Sequence, residues 1–132
     1  MDKMITAEIG GKTRFLNYSV AVMFDMHDKF GTIQDALDLI AQDGRKSFEA
    51  VQWFAVQMAN DAELCRRDEG YKPAPMTKES DISMRMSPLD YEELKSAVID
   101  AITLGYHRET KNEDETDLGL AELQRKKAAA GE

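Results

Sequence analysis

Apolar residues recur at steps of three and four along most of the chain, and the longest such pattern runs from Phe48 to Arg67. One helical face of this stretch carries Phe48, Val51, Ala55, Met58, Ala59, Ala62 and Cys65. Trp53, Phe54 and Val56 widen the apolar surface beyond that face, which indicates that other elements cover most of the helix. The pattern therefore predicts a central helix in a small, mainly α-helical core.

The stretch before the central helix predicts two shorter helices separated by Gly31. Asn17 or Ser19 caps the first helix, and Gly31 can take the left-handed conformation that ends it. The inward-facing residues of this helix are predicted to be Val20, Met23, Phe24, His27 and Phe30. Thr32 then caps the second helix, which is expected to end near Asp43-Gly44. Its inward-facing residues are predicted to be Ile33, Ala36, Leu37 and Ile40.

Proline and glycine mark the elements that follow the central helix. The segment from Asp68 to Met76 contains Gly70, Pro73 and Pro75 and predicts a surface loop, followed by a short helix within Thr77 to Met86. Ser87-Pro88-Leu89-Asp90 combines an N-cap residue, proline at the first helical position and an acidic first turn. The helix that starts there has Tyr91, Leu94, Val98, Ala101 and Ile102 on its apolar face. Gly105 is predicted to end it.

The two ends of the chain differ from this helical middle. Two short runs flank Gly10-Gly11 and predict a β-hairpin, which must lie on the helices or pair with another chain because an isolated hairpin is marginal in water. Arg108 to Asp117 is almost entirely polar or charged and predicts a solvated linker. Leu118, Leu120 and Leu123 follow, in a short helix that either docks on the core or waits for a partner. We therefore expect a domain of four to five helices with the hairpin over 1–107, and a charged, mobile C-terminal tail over 108–132.

Composition and charge narrow the possible classes of function. The chain of 132 residues fits one domain, and 42% hydrophobic with 32% charged residues is typical of a globular protein. A net charge of −8 disfavours general binding to nucleic acids or anionic membranes. Neither a signal peptide nor an apolar run of membrane-spanning length is apparent. The single cysteine, Cys65, lies on the apolar face and predicts a buried free thiol in a reducing compartment.

The sequence contains no convincing catalytic constellation. In a helix Asp25 and Asp28 share a face, whereas His27 points elsewhere, so a metal or acid–base site would need a carboxylate from another segment. Cys65 has no base at a useful spacing. Gly10-Gly11-Lys12 lacks the rest of a phosphate-binding P-loop. We therefore expect a protein that is not an enzyme and has no catalytic, cofactor-binding or metal-binding residues.

Three segments together resemble a known family. The first runs from Ile9-Gly10-Gly11-Lys12, Phe15 and Asn17 to a helix closed by Lys29-Phe30-Gly31, with a new helix at Thr32. The second is Ser87-Pro88-Leu89-Asp90, leading to Ala97-Val98-Ile99-Asp100-Ala101-Ile102 and Gly105. The third is the acidic tail ending in Asp117-Leu118-Gly119-Leu120-Ala121-Glu122-Leu123, followed by basic residues. In this order they resemble the tail assembly chaperones of long-tailed bacteriophages, of the type found in phages of Gram-positive hosts.

The resemblance implies a helical protein of the host cytoplasm that binds the tape-measure and tail-tube proteins, keeps them soluble during tail assembly and is absent from the mature virion. A long chain with exposed apolar stripes would aggregate unless it were covered, and helix-in-groove contact could cover it. Leu118, Leu120 and Leu123 are the candidate partner-binding residues, because they form the only apolar cluster outside the predicted core. The alternatives are a structural tail or head–tail component retained in the virion, or a small helical protein-binding regulator. The sequence leaves a homo-oligomer open.

Overall fold

A computed structural model describes residues 4–116 of the chain, with side chains through 107. The elements in chain order are β1 (Ile5–Ile9), β2 (Lys12–Leu16), α1 (Val20–Phe30), α2 (Ile33–Ala41), α3 (Arg45–Asp68), α4 (Glu79–Ser83) and α5 (Pro88–Thr116). The predicted mainly α-helical fold with an N-terminal β-hairpin is confirmed. The part of the predicted mobile tail over 117–132, with its short helix, lies outside the described residues.

The hydrophobic core lies around α3, as the apolar pattern predicts. Its fully buried side chains on α3 include Val51, Phe54, Ala55 and Met58. The helices packed against α3 contribute Val22, Met26, Ala36, Ile40, Ile82, Leu94, Val98, Ala101 and Ile102. Burial of this set removes enough apolar surface from water to hold five helices of a small chain together.

The β-hairpin bridges the two longest helices. β1 and β2 pair antiparallel from Ile5↔Leu16 to Ile9↔Lys12. Gly10 and Gly11 form the two-residue turn, and their φ angles of 60° and 86° are the positive values that such a tight hairpin turn requires. β2 packs on α3 while β1 packs on α5. The hairpin therefore lies on the helices, which is one of the two arrangements expected from its marginal stability alone.

The predicted helix caps are confirmed. The Ser19 side chain accepts a hydrogen bond from the Val22 amide, and the Thr32 side chain accepts one from the Asp35 amide. At the start of α5 the Asp90 amide donates to Ser87 Oγ, and the Ser87 amide donates in return to the Asp90 carboxylate. Each cap satisfies backbone donors that a helix leaves unpaired at its first turn.

The predicted end of α5 at Gly105 is wrong. The helix continues through Gly105 to Thr116, so the predicted linker from Arg108 onward is helical over 108–116 and the expected domain boundary falls inside α5. Gly105 serves instead for a close approach between elements: a Cβ atom there would lie 2.9 Å from Tyr18 Cδ2 and 3.1 Å from the Tyr18 carbonyl oxygen. The glycine therefore lets the segment before α1 pack directly against the α5 backbone.

The predicted inner face of α1 is also wrong in part. Val22 and Met26 are the buried residues of this helix, whereas Val20 and Phe24 are each 60% exposed. His27, placed inward by the same pattern, is exposed as well. Because α1 carries apolar residues on two neighbouring arcs, helical spacing alone does not decide which arc meets the core.

Candidate partner-binding groove

A groove of about 500 Å³ opens beside the first half of α3, against the end of α1 and part of α2. Its apolar floor consists of Phe30, Leu39, Ala50 and Trp53. We call it the Trp53 groove; its charged and polar rim is formed by Lys29, Lys46, Glu49, Gln52 and Glu79. An apolar floor with a few polar groups around it is the usual composition of a binding site.

Trp53 holds a fixed position in this groove because other aromatic rings contact its faces and edge. Its ring lies edge-on to Phe30, with centroids 5.3 Å apart, and edge-on to Phe54 at 5.0 Å. Phe30 in turn stacks on Phe54 with an interplanar angle of 6°. Phe54 is fully buried, whereas Trp53 is only partly buried. The sequence places Trp53 in the core; the structure places it where the core opens onto the surface.

The rim of the groove contains a hydrogen-bond acceptor without a donor. Gln52 Oε1 is buried and has no hydrogen-bond partner among the described residues. Leaving such an acceptor unpaired costs free energy. Lys29 and Lys46 place two positive charges at the rim, and Glu49 and Glu79 place two negative charges there. The groove therefore offers a ligand an apolar floor and a rim of mixed charge.

Further apolar side chains are exposed outside the groove. Val20 and Phe24 lie on the outer face of α1, while Met84 and Leu89 flank the start of α5 at 80% and 70% exposure. Single exposed apolar residues are common on protein surfaces and do not by themselves define a binding site.

The sequence-predicted partner-binding residues Leu118, Leu120 and Leu123 lie outside the described residues. The remaining candidate site residues make contacts that belong to the fold. His27 is exposed, and its Nδ1 lies 2.8 Å from the Gly31 carbonyl oxygen at the end of α1. Within residues 4–107, no three His, Cys, Asp or Glu side chains come close enough together to hold a metal ion.

The Cys65 thiol is partly buried, as a structural cysteine would be. Burial raises its pKa first, and the nearby carboxylates of Asp61, Glu69 and Asp68 raise it further. Asn17 Nδ2 lies 3.7 Å from Sγ and acts in the opposite direction. The thiolate is therefore disfavoured at neutral pH, which makes this cysteine a poor nucleophile.

Glu63 is a buried carboxylate that the sequence reasoning missed. It is 5% exposed and accepts hydrogen bonds from the Ala74 amide at 2.8 Å, from Arg67 at 3.0 Å and from Arg66 at 2.6 Å. The Ala74 amide, followed by the two arginines, lowers the pKa of Glu63 from 4.5 to about 2 against the opposing effect of burial. Two arginines three and four residues after a glutamate were the available signal. The cluster fixes the loop after α3 and has no group left to react.

No protein-family model, curated protein or solved structure matches this chain. None of the helices between residues 4 and 116 combines the length and the apolar composition needed to cross a membrane.

Proposed function

We propose that the protein is a tail assembly chaperone of a long-tailed bacteriophage, which binds the tape-measure and tail-tube proteins and keeps them soluble during assembly. The observation that supports this best is the Trp53 groove, because it presents a fixed aromatic side chain at the surface of an otherwise closed helical core. The hairpin, helix-cap and acidic-tail segments that resemble this family add the identity of the partners.

The groove fits an amphipathic helix from the partner chain. Trp53 and Phe30 supply the aromatic anchors that dominate many protein interfaces. A partner helix would insert apolar residues at helical spacing between them. Charged residues flanking that apolar stripe would pair with the rim, acidic ones with Lys29 and Lys46 and basic ones with Glu49 and Glu79.

The groove suits a temporary partner. Its apolar floor consists of four side chains, so a bound helix finds few anchoring contacts in it. Affinity at one groove is then modest, and assembly of the tail can displace the chaperone. The same contact hides the apolar stripe that would otherwise drive the tape-measure chains to aggregate.

The test is co-expression of this chain with a tape-measure protein, measuring the soluble fraction of the latter and its co-purification. Wild-type protein should keep the tape-measure protein soluble. Trp53→Ala should reduce capture at least about tenfold, since truncating an anchoring tryptophan removes on the order of 2 kcal/mol of binding free energy. Phe24→Ala is the matched control, because it removes an exposed aromatic ring outside the groove.

Capture by Trp53→Ala equal to that by wild type would exclude the groove as the binding site. Trp53→Ala should itself cost about 2 kcal/mol of stability, because the ring is partly buried against Phe30 and Phe54, so thermal midpoints are measured on both variants. Phe54→Ala should cost about 3–5 kcal/mol, since that ring is fully buried.

Two observations separate a chaperone from a retained structural component. Mass spectrometry of purified virions should not detect a chaperone, whereas stoichiometric amounts of this chain would favour a tail or head–tail component. The neighbouring reading frames should encode a tail-tube protein before this gene and a very long helical protein after it.

A further inference from the structure

Arg14 is a charged residue on the face of the hairpin that packs against the rest of the protein. Residues on the packed face alternate along β2, where Leu16 pairs with Ile5, Arg14 with Ala7 and Lys12 with Ile9. Ile9 and Leu16 on this face are each 2% exposed. Arg14 Nε is buried there and has no hydrogen-bond partner among the described residues. A buried guanidinium N–H without an acceptor is costly, so an acceptor within reach of Arg14 would lower the free energy of the folded state.

Glu63 and Asp81 each line a cleft that Arg14 also lines, and each accepts from other donors. Glu63 is held by Arg66, Arg67 and the Ala74 amide. Asp81 accepts from the Lys78 amide at 3.0 Å through Oδ2, and its Oδ1 lies 3.8 Å from Arg85 Nε. Over residues 4–107, no carboxylate forms an ion pair with Arg14.

A cleft of about 240 Å³ opens beside Arg14, between the hairpin turn, the segment 75–78 and α4. The charged residues that line it are Lys12, Arg14, Lys78 and Arg85, with Asp81 as the one acid among the described lining residues. The cleft is thus locally positive in a chain whose net charge is −8. Its walls are in close contact: a Cβ atom at Gly10 would lie 3.1 Å from the Asp81 carbonyl oxygen.

We propose that this cleft binds an oxyanion, either a carboxylate or a phosphate group. The Arg14 side chain lines the cleft and its guanidinium would donate to the ion, and Arg85 would turn from its long contact with Asp81 to add a second guanidinium. Guanidinium groups bind carboxylate and phosphate through paired, charge-assisted hydrogen bonds. Lys12 and Lys78 supply further charge at the cleft. The negative field of the whole chain disfavours a long polyanion and leaves a small or singly presented oxyanion as the ligand.

The experiment titrates the full-length protein with sodium phosphate and, separately, with sodium acetate at constant ionic strength, with sodium chloride as reference. NMR of the arginine Nε–H groups reports binding directly, and the Arg14 signal should shift saturably with at least one oxyanion. Saturation with phosphate alone identifies a phosphate ligand, whereas saturation with acetate identifies a carboxylate such as an acidic side chain of a partner. Absence of any saturable shift beyond that of chloride would overturn the proposal.

Two variants locate the ion. Arg85→Gln should weaken the apparent affinity about tenfold, because it removes one charge-assisted contact from an exposed position without disturbing the core. Lys72→Gln makes the same charge change at an exposed lysine outside the cleft and should alter affinity less than about twofold. Unchanged affinity in Arg85→Gln and in Arg14→Gln would place the ion elsewhere and refute the assignment. The outcome is independent of tail assembly, so it does not decide whether the protein is a chaperone.

Discussion

Glu63 is a single residue whose ionised form the folded state prefers, since three donors surround its carboxylate. Its pKa falls from 4.5 to about 2 on folding, so the stabilisation it provides is complete well above pH 4.5 and is lost as the pH drops toward 2. Wild-type protein should therefore lose stability steeply across this acidic range. Thermal or urea midpoints measured between pH 7 and pH 2 check this.

Glu63→Gln removes the charge and should cost about 2 kcal/mol at pH 7, because two arginines lose their carboxylate partner. The difference between variant and wild type should shrink as the pH approaches 2. Glu92→Gln, an exposed carboxylate on α5, is the control and should cost less than about 0.5 kcal/mol. A constant difference between Glu63→Gln and wild type at every pH would contradict the assigned pKa.

A second prediction for a single residue concerns the effect of Gly105 on stability. Alanine is the better helix former, yet its Cβ would lie 2.9 Å from Tyr18, so Gly105→Ala should destabilise the protein by about 1–2 kcal/mol. Thr103→Ala, at an exposed position of the same helix, should be neutral or slightly stabilising. The comparison is made by denaturant unfolding. A stability gain in both variants would show that Tyr18 and α5 do not need the glycine.

Residues that act on their own sequence neighbours were predictable. Ser19, Thr32 and Ser87 each cap a helix by accepting a hydrogen bond from the backbone amide three residues later. This spacing can be read directly from the sequence. The surroundings of Arg14 and Gly105 were not predictable, because the cleft beside Arg14 is shared with Asp81 of α4 and Gly105 approaches Tyr18, both far away in sequence.

At the scale of elements, periodicity predicts which segments form helices better than which face they bury. The apolar face predicted for α5 is the one that is buried. α3 is the central helix as predicted, but Phe54, placed outside its main face, is fully buried, whereas Phe48 and Cys65 on that face are only partly buried. α1 has two apolar arcs, and only its packing against α2 and α3 selects Val22 and Met26. The Trp53 groove follows the same rule: the sequence showed extra apolar residues beyond the inner face of α3, but not that Trp53 stays partly uncovered.

The segment from Glu69 to Lys78 is attached to α3 by polar side chains, and this gives an element-scale prediction. Asn60 Nδ2 donates to the Thr77 carbonyl at 3.1 Å, and the Thr77 amide donates to Asn60 Oδ1 at 2.7 Å. Asn60→Ala should remove both bonds, cost about 2 kcal/mol and speed amide exchange and proteolysis within this segment. Gln57→Ala, one turn earlier on α3, is the control. Unchanged protection of the segment in Asn60→Ala would assign its order to Glu63 and Arg67 instead.

At the scale of the whole molecule, the next prediction concerns the three leucines that follow α5. Replacing Leu118, Leu120 and Leu123 together by Ser should weaken capture of the tape-measure or tail-tube protein and leave the thermal midpoint almost unchanged, since a tethered apolar segment adds local concentration. Capture and calorimetry on the same preparations check both parts. A midpoint lowered by many degrees would instead show that these leucines pack on the core.

The hairpin that bridges α3 and α5 sets the order in which a newly made chain can fold. The ribosome completes β1 and β2 before the helices, but the surface that β1 covers belongs to α5, and residues 10–87 lie between them. A two-stranded hairpin has little stability by itself, so β2 can dock once α3 is made, while the inner face of β1 still lacks its helix. Contacts between elements so distant in sequence form slowly. The packing of β1 is therefore completed late, when α5 reaches a strand that was translated well before it.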